Sequence, residues 1–178
     1  SAEAAPLPDT PTPARVSLAT QPMPPADAFI RHKTTRRTAY APFTPPPGCF
    51  DTLLYNAAGE LTEFTIGNLA LQLDGQWYTP PLPSGLLPGV MRATLLAEGR
   101  LQERRLTLDD LHHAQDLALL NSVRGWLTVD LDALLGRIDV GAVRRGQRRE
   151  ATGRVGALRK GVAPPWPTRS DRTVADGE

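Results

Sequence analysis

Apolar and polar positions in the middle of this chain fall into short runs whose period changes between elements. Thr52-Leu53-Leu54-Tyr55, Leu61–Phe64 and Asn68–Leu73 are apolar-rich segments bounded by turn-forming residues, the pattern expected of strands. Asn56-Ala57-Ala58-Gly59 separates the first two as a turn of Asn/Gly type. Asp74-Gly75 is a type I′ hairpin signal that joins the third run to a fourth strand, Gln76–Thr79. Pro80-Pro81-Leu82-Pro83 ends this antiparallel, hairpin-rich stretch. Val90, Thr94, Leu95 and Leu96 suit a helix stopped by Gly99 at its C′ position. Thr107 with Asp110 three residues on is a capping-box variant that opens a helix through Leu108, Leu111, Ala114 and Gln115. Strands near residues 117–120 and 126–129 complete an α+β pattern.

Outside this body the periodicity fades. Residues 1–28 hold seven of the 18 prolines among Ala, Thr and Ser, and they read as a linker too poor in apolar spacing to offset its ordering entropy. Residues 29–132 read as the folded body. Residues 133–178 read as an Arg/Gly-rich, poorly packed or disordered tail, with an anion-binding arm as the alternative.

Charge narrows the classes. The chain has 20 basic and 19 acidic groups and a formal net charge of +1, so no global field favours nucleic acid or an anionic membrane. No apolar run approaches the roughly 18 residues of a spanning helix, and the N-terminal stretch lacks the layout of a signal peptide. A cytoplasmic protein without membrane or nucleic-acid partners is therefore expected. One cysteine, Cys49, and three histidines without CxxC or HExxH spacing argue against structural zinc. Of the 20 basic groups only Lys33 and Lys160 are lysines, so chemistry needing a deprotonatable amine has two candidates.

Four segments could carry chemistry. In Arg31-His32-Lys33-Thr34-Thr35-Arg36-Arg37, followed by Tyr40, crowding by cations would lower the lysine pKa; the same run suits a solvated patch or a phosphate contact. In Leu61 to Asn68, strict alternation puts Leu61, Glu63 and Thr65 on one face and Thr62 and Phe64 on the other. Glu63 then needs a partner, either a salt-bridging cation or a protonated ring nitrogen, because an unpaired buried carboxylate is costly. In Ser84 to Arg92, glycines precede a helix whose first free N–H groups, near Val90 and Met91, could receive an anion or simply begin a helix. Asn121-Ser122-Val123-Arg124-Gly125-Trp126 places a hydroxyl and donors at a strand end. Together these supply an amine, a phenol, a carboxylate, a helix-terminal anion site and a hydroxyl, the groups that holding pyridoxal 5′-phosphate requires.

The ordered motifs His32-Lys33-Thr34-Thr35-x-Arg37-x-x-Tyr40, Thr62-Glu63-x-x-x-x-Asn68, Gly85-Leu86-Leu87-Pro88-Gly89-x-Met91-Arg92 and Asn121-Ser122-x-Arg124-Gly125 resemble those of the class IV aminotransferase family, the fold-type IV pyridoxal-phosphate enzymes. The resemblance covers about residues 29–130 and is strongest to the 4-amino-4-deoxychorismate lyase branch. It implies a large cofactor-binding domain of antiparallel strands with flanking helices. It implies that Lys33 forms the Schiff base with the cofactor and then moves the substrate proton, and that Tyr40 meets the cofactor's phenolic oxygen. Glu63 would pair with the pyridine nitrogen, while Val90, Met91 and Ser122 would hold the phosphate. Asn68 and Arg92 would support the site. The implied reaction converts 4-amino-4-deoxychorismate to 4-aminobenzoate and pyruvate, a step of folate biosynthesis, in a homodimer. A transaminase of the branched-chain or D-amino acid type, and a non-catalytic module that keeps the motifs, are the alternatives.

Relatives of this kind have a smaller α+β domain ahead of the lysine, where this sequence shows only the Pro-rich stretch. Either the sequence is a fragment or the missing half lies elsewhere, and a Pro/Ala linker fits a lyase domain cut from a fusion with the aminodeoxychorismate synthase, which would then be a partner in cis.

Overall fold

The computed structural model describes residue 10, residues 12–24 and residues 37–138. Lys33, Lys160 and the tail beyond 138 lie outside the described residues. The elements in chain order are β1 (Val16–Leu18), a 3-10 helix (Arg37–Phe43), β2 (Asp51–Tyr55), β3 (Leu61–Phe64), β4 (Asn68–Leu73) and β5 (Gln76–Thr79). A 3-10 turn (Leu82–Ser84), α1 (Val90–Ala97), β6 (Gln102–Glu103), α2 (Leu108–His113), β7 (Asp116–Asn121), β8 (Gly125–Thr128) and α3 (Leu131–Arg137) follow.

The strands form one mixed sheet. β1 runs parallel to β2, and the antiparallel pairs β2–β3, β3–β4, β4–β7 and β7–β8 continue it, while β5 and β6 branch from the other side of β4. The sheet curls until its ends meet. Ala14 donates to the Thr128 carbonyl at 2.8 Å and accepts from Asp130 N–H at 2.9 Å, beside a parallel bridge to Val129.

Alternation decides what this curl encloses. Leu69, Leu71 and Leu73 of β4 join Leu117 and Leu119 of β7, Leu127 of β8, and Leu53, Leu61 and Phe64 in a single buried cluster on the inner face. Each such side chain contributes about 1.5–3 kcal/mol by leaving water. On the outer face Ala70, Trp77, Ala118, Leu120 and Trp126 pack beneath Met91 and Leu95 of α1. All six residues of β4 are therefore buried, Asn68 and Gln72 included.

Two parts of the fold differ from the sequence reading. The stretch read as a linker, 1–28, contributes residues 12–24 to the body: Ala14, Val16, Ala19 and Met23 are buried, and β1 extends the sheet. A three-residue strand is too short to show a period, and its partner β2 lies more than 30 residues away. The folded body also runs past residue 132, because Leu131, Leu134 and Ile138 of α3 and its C-cap enter the inner cluster. Asp130 caps this helix, its carboxylate accepting from Ala133 N–H at 2.9 Å. The i, i+3, i+7 spacing is present in the sequence but is masked by the Arg/Gly composition that follows. No helix among the described residues is long and apolar enough to cross a membrane.

Candidate cofactor site

β3 positions the central carboxylate through an irregularity. Leu53 pairs with Phe64 and Tyr55 with Leu61, so two steps along β2 match three along β3. The extra residue breaks strict alternation, and Leu61 and Phe64, expected on opposite faces, both reach the inner cluster. Glu63 is thereby turned outward to a different set of neighbours. Its Oε1 accepts from the Tyr40 hydroxyl at 2.7 Å and its Oε2 from Leu87 N–H at 3.0 Å. It is 3% exposed, and among the described residues no ion pair involves it. Burial pushes its carboxyl up to about 7, and the nearby Asp51 adds to the rise, while the bonds from Tyr40 and Leu87 pull the other way.

Tyr40 reaches this point from the 3-10 helix, whose Phe43 packs with Leu54, Ala19 and Met23. The segment once read as linker thus helps brace the phenol.

The helix start is tied to the same carboxylate. Glu63 and Asn68 are directly paired across β3 and β4. Together they clamp the Leu87 peptide: Glu63 takes its N–H, and Asn68 Nδ2 donates to its carbonyl at 2.8 Å. Two residues later Gly89 is the N-cap of α1 and, being glycine, makes no side-chain cap bond to it. A β-carbon on Gly89 would lie 2.0 Å from Asn68 Oδ1, so only glycine lets the loop come this close. Among the described residues no acceptor meets the first-turn N–H groups of Val90 and Met91, as at other helix starts. Val90 is 73% exposed and Met91 is buried against the sheet. Arg92, 4% exposed, secures the other side of the helix by donating to the Pro80 carbonyl at 2.8 Å and pairing with Glu103.

Ser122 sits exposed in the turn between β7 and β8. Asn121 shapes that turn, its Oδ1 accepting from Val123 N–H at 2.8 Å and Arg124 N–H at 3.2 Å. The structure joins Tyr40, Glu63, Asn68 and the Val90–Met91 helix start through a continuous chain of bonds. Lys33 lies outside the described residues, seven positions before Tyr40.

Sequence reasoning passed over Asp51. It is 1% exposed at the start of β2, with Oδ1 accepting from Thr52 N–H at 2.7 Å and from the Thr65 hydroxyl, and Oδ2 accepting from Ile66 N–H at 3.3 Å. Burial raises its pKa more than these donors lower it. Its only sequence signal is an acidic residue opening an otherwise buried strand.

The family described as amino-transferase class IV matches residues 1–131. The chain belongs to that family. A Schizosaccharomyces pombe protein provisionally named aminodeoxychorismate lyase is 46% identical over 77 residues, 42% of this chain and 33% of that protein. Among solved structures, one provisionally named an amino-acid aminotransferase, from Mesorhizobium loti, is 38% identical with a TM-score of 0.61, covering 66% of this chain and 58% of its own. The 4-amino-4-deoxychorismate lyase of Pseudomonas aeruginosa is 28% identical with a TM-score of 0.56, covering 65% and 46%. The chain therefore spans a third to somewhat over half of the length of these relatives. The likeness establishes the fold-type IV α+β architecture that the motifs imply.

Class IV aminotransferases and lyases are pyridoxal-phosphate enzymes, and the donor set here fits that group. A buried carboxyl poised near neutrality and, among the described residues, in no ion pair suits a protonated pyridine nitrogen, whose charge would offset the desolvation that raises the carboxyl. The glycine-capped helix start suits a phosphate.

Proposed function

We propose that this chain is the cofactor-binding part of a pyridoxal-phosphate-dependent lyase that converts 4-amino-4-deoxychorismate to 4-aminobenzoate and pyruvate. The observation that carries the reading is Glu63, a buried carboxyl held by Tyr40 and the Leu87 peptide and tied through Asn68 to the start of α1. The relatives named as lyases support the choice of reaction.

Glu63 holds the pyridine nitrogen and keeps its proton there. When bound, the cofactor supplies an electron sink for the carbon that bears the substrate amine. Val90 and Met91 N–H groups and the Ser122 hydroxyl would bind the phosphate. Tyr40, with one proton to give, would pass its hydroxyl bond from Glu63 Oε1 to the phenolic oxygen of the ring on binding. Lys33, freed when the substrate amine takes its place on the cofactor, would take the proton from the amine-bearing ring carbon of the substrate. The carbon–oxygen bond to the enolpyruvyl group then breaks, the departing enolate is protonated to pyruvate, and the ring becomes aromatic. No water is consumed, and aromatisation supplies the driving force.

The likeness to the Mesorhizobium loti protein favours a second reading, an amino-acid transaminase. Incubating the chain with cofactor and 4-amino-4-deoxychorismate, and separately with amino acids and 2-oxoglutarate, distinguishes the two. The lyase reading expects 4-aminobenzoate and pyruvate in equal amounts. Glutamate formation without 4-aminobenzoate would replace it with transamination.

A further inference from the structure

The turn that carries Ser122 is held from a distance by β2. Asn121 Nδ2 donates to the Ile66 carbonyl, while the N–H of the same residue, Ile66, donates to Asp51 Oδ2 at 3.3 Å. The Thr65 hydroxyl donates to the other Asp51 oxygen. Residues 65–67 are thus fixed to Asp51 on one side and to Asn121 on the other. Gly67 presses the same segment against the end of β7: a β-carbon there would lie 2.5 Å from the Leu120 carbonyl oxygen. A second tether runs in parallel, for the Arg124 guanidinium lies 5.3 Å from the centre of the Phe50 ring, and Phe50 immediately precedes Asp51.

We propose that Asp51 is a positioning residue for the phosphate end of the site, setting the Ser122 turn through Ile66 and Asn121. The inference rests on the reading of Ser122 as a phosphate contact. Asp51 touches neither cofactor nor substrate. A carboxylate suits the task because its two oxygens take the Thr65 hydroxyl and the Ile66 and Thr52 N–H groups at once, fixing the segment against rotation. Truncating it releases residues 65–67, and the Ser122 hydroxyl loses its fixed place while the ring end of the site, built on Glu63 and Leu87, keeps its own clamp.

The test compares pyridoxal 5′-phosphate with pyridoxal, which lacks the phosphate, by titrating the full chain and following visible absorbance. Wild type is expected to prefer the phosphorylated form. Asp51→Ala and Asn121→Ala should each cut that preference about tenfold, the worth of one lost charge-assisted contact; pyridoxal affinity should change less than twofold in Asn121→Ala, while in Asp51→Ala the loss of the charge beside Glu63 moves both ligands alike and leaves the preference as the readout. The double variant should lose no more than either single one, because both break one path. Equal losses for both ligands would show Asp51 to be a general structural group and overturn the proposal, as would an unchanged preference in folded variants. Should Asp51→Ala fail to fold, Asn121→Ala decides the matter. No preference in wild type would instead overturn the phosphate reading on which the proposal stands.

Discussion

The two faces of β4 are built for different ends. Inward, Leu69, Leu71 and Leu73 pack into the large apolar cluster. Outward, Asn68 and Gln72 are as deeply buried as the leucines, and on this side several buried polar atoms find no partner among the described residues: both Gln72 amide atoms, Trp77 Nε1, Thr79 Oγ1 and Arg92 Nε. Trp77 and Trp126 fill space there edge to face, 4.7 Å between centroids. An apolar interior satisfies itself by packing alone, whereas buried polar groups cost free energy until something meets them. The contrast shows where stability is concentrated and where the fold gives it up to keep polar groups poised, Glu63 above all.

Breaking the inner face should have the largest effect on folding. Leu71→Ala is expected to cost about 3 kcal/mol, as deletions in tightly packed cores do, read from the midpoint of a denaturant titration. Cofactor affinity should follow only through the unfolded fraction.

Next comes Gly89→Ala on the outer side. The methyl meets Asn68 Oδ1, so Asn68 must release the Leu87 peptide and the helix start shifts. A loss of about 1–3 kcal/mol is expected from overpacking, together with at least a tenfold loss of pyridoxal-phosphate affinity. Retained affinity would show that the close approach of the loop is not needed.

Glu63→Gln should part the two properties. The folded carboxyl, at about 7, holds its proton more tightly than it does in the unfolded chain. Its contribution to stability is therefore most favourable at acid pH and is lost as pH rises from the ordinary carboxylate range through 7. The amide can still accept from Leu87 N–H and donate to the Tyr40 oxygen. At pH 8 the cofactor-free variant should be more stable than wild type by up to about 3 kcal/mol, a gain largely absent at pH 5, as thermal unfolding at the two values would show. Its cofactor binding should weaken and its turnover fall sharply. A variant less stable at pH 8 would mean that the carboxylate is well satisfied as it stands.

Ser122→Ala should move stability least, within about 0.5 kcal/mol, because the side chain is exposed. The expected change is confined to the preference for pyridoxal phosphate over pyridoxal.

Much of the outer architecture is legible in the sequence. The Asp74-Gly75 hairpin closes as its residues predict, both with positive φ, and Thr107 and Asp110 cap α2 reciprocally. These signals are local, carried by one or two side chains acting on their own backbone. The irregularity in β3 was not legible, because it depends on the register against β2 and no residue marks it. β1 needed a distant partner to become a strand. Asp51 looks like any acidic residue until the turn at 65–67 folds onto it. The motifs carried Glu63 to the right neighbourhood, but its bond to the Leu87 peptide is a product of tertiary packing.

The central claim is that the buried carboxyl on the outer face serves a pyridoxal cofactor carried by Lys33. Titrating wild type, Lys33→Ala and Glu63→Gln with pyridoxal 5′-phosphate and following the visible absorbance tests it most directly. The account predicts a saturable band in wild type, its loss in Lys33→Ala, and weaker binding with an altered band in Glu63→Gln. A band that survives both substitutions unchanged, or none in folded wild type at saturating cofactor, would contradict it.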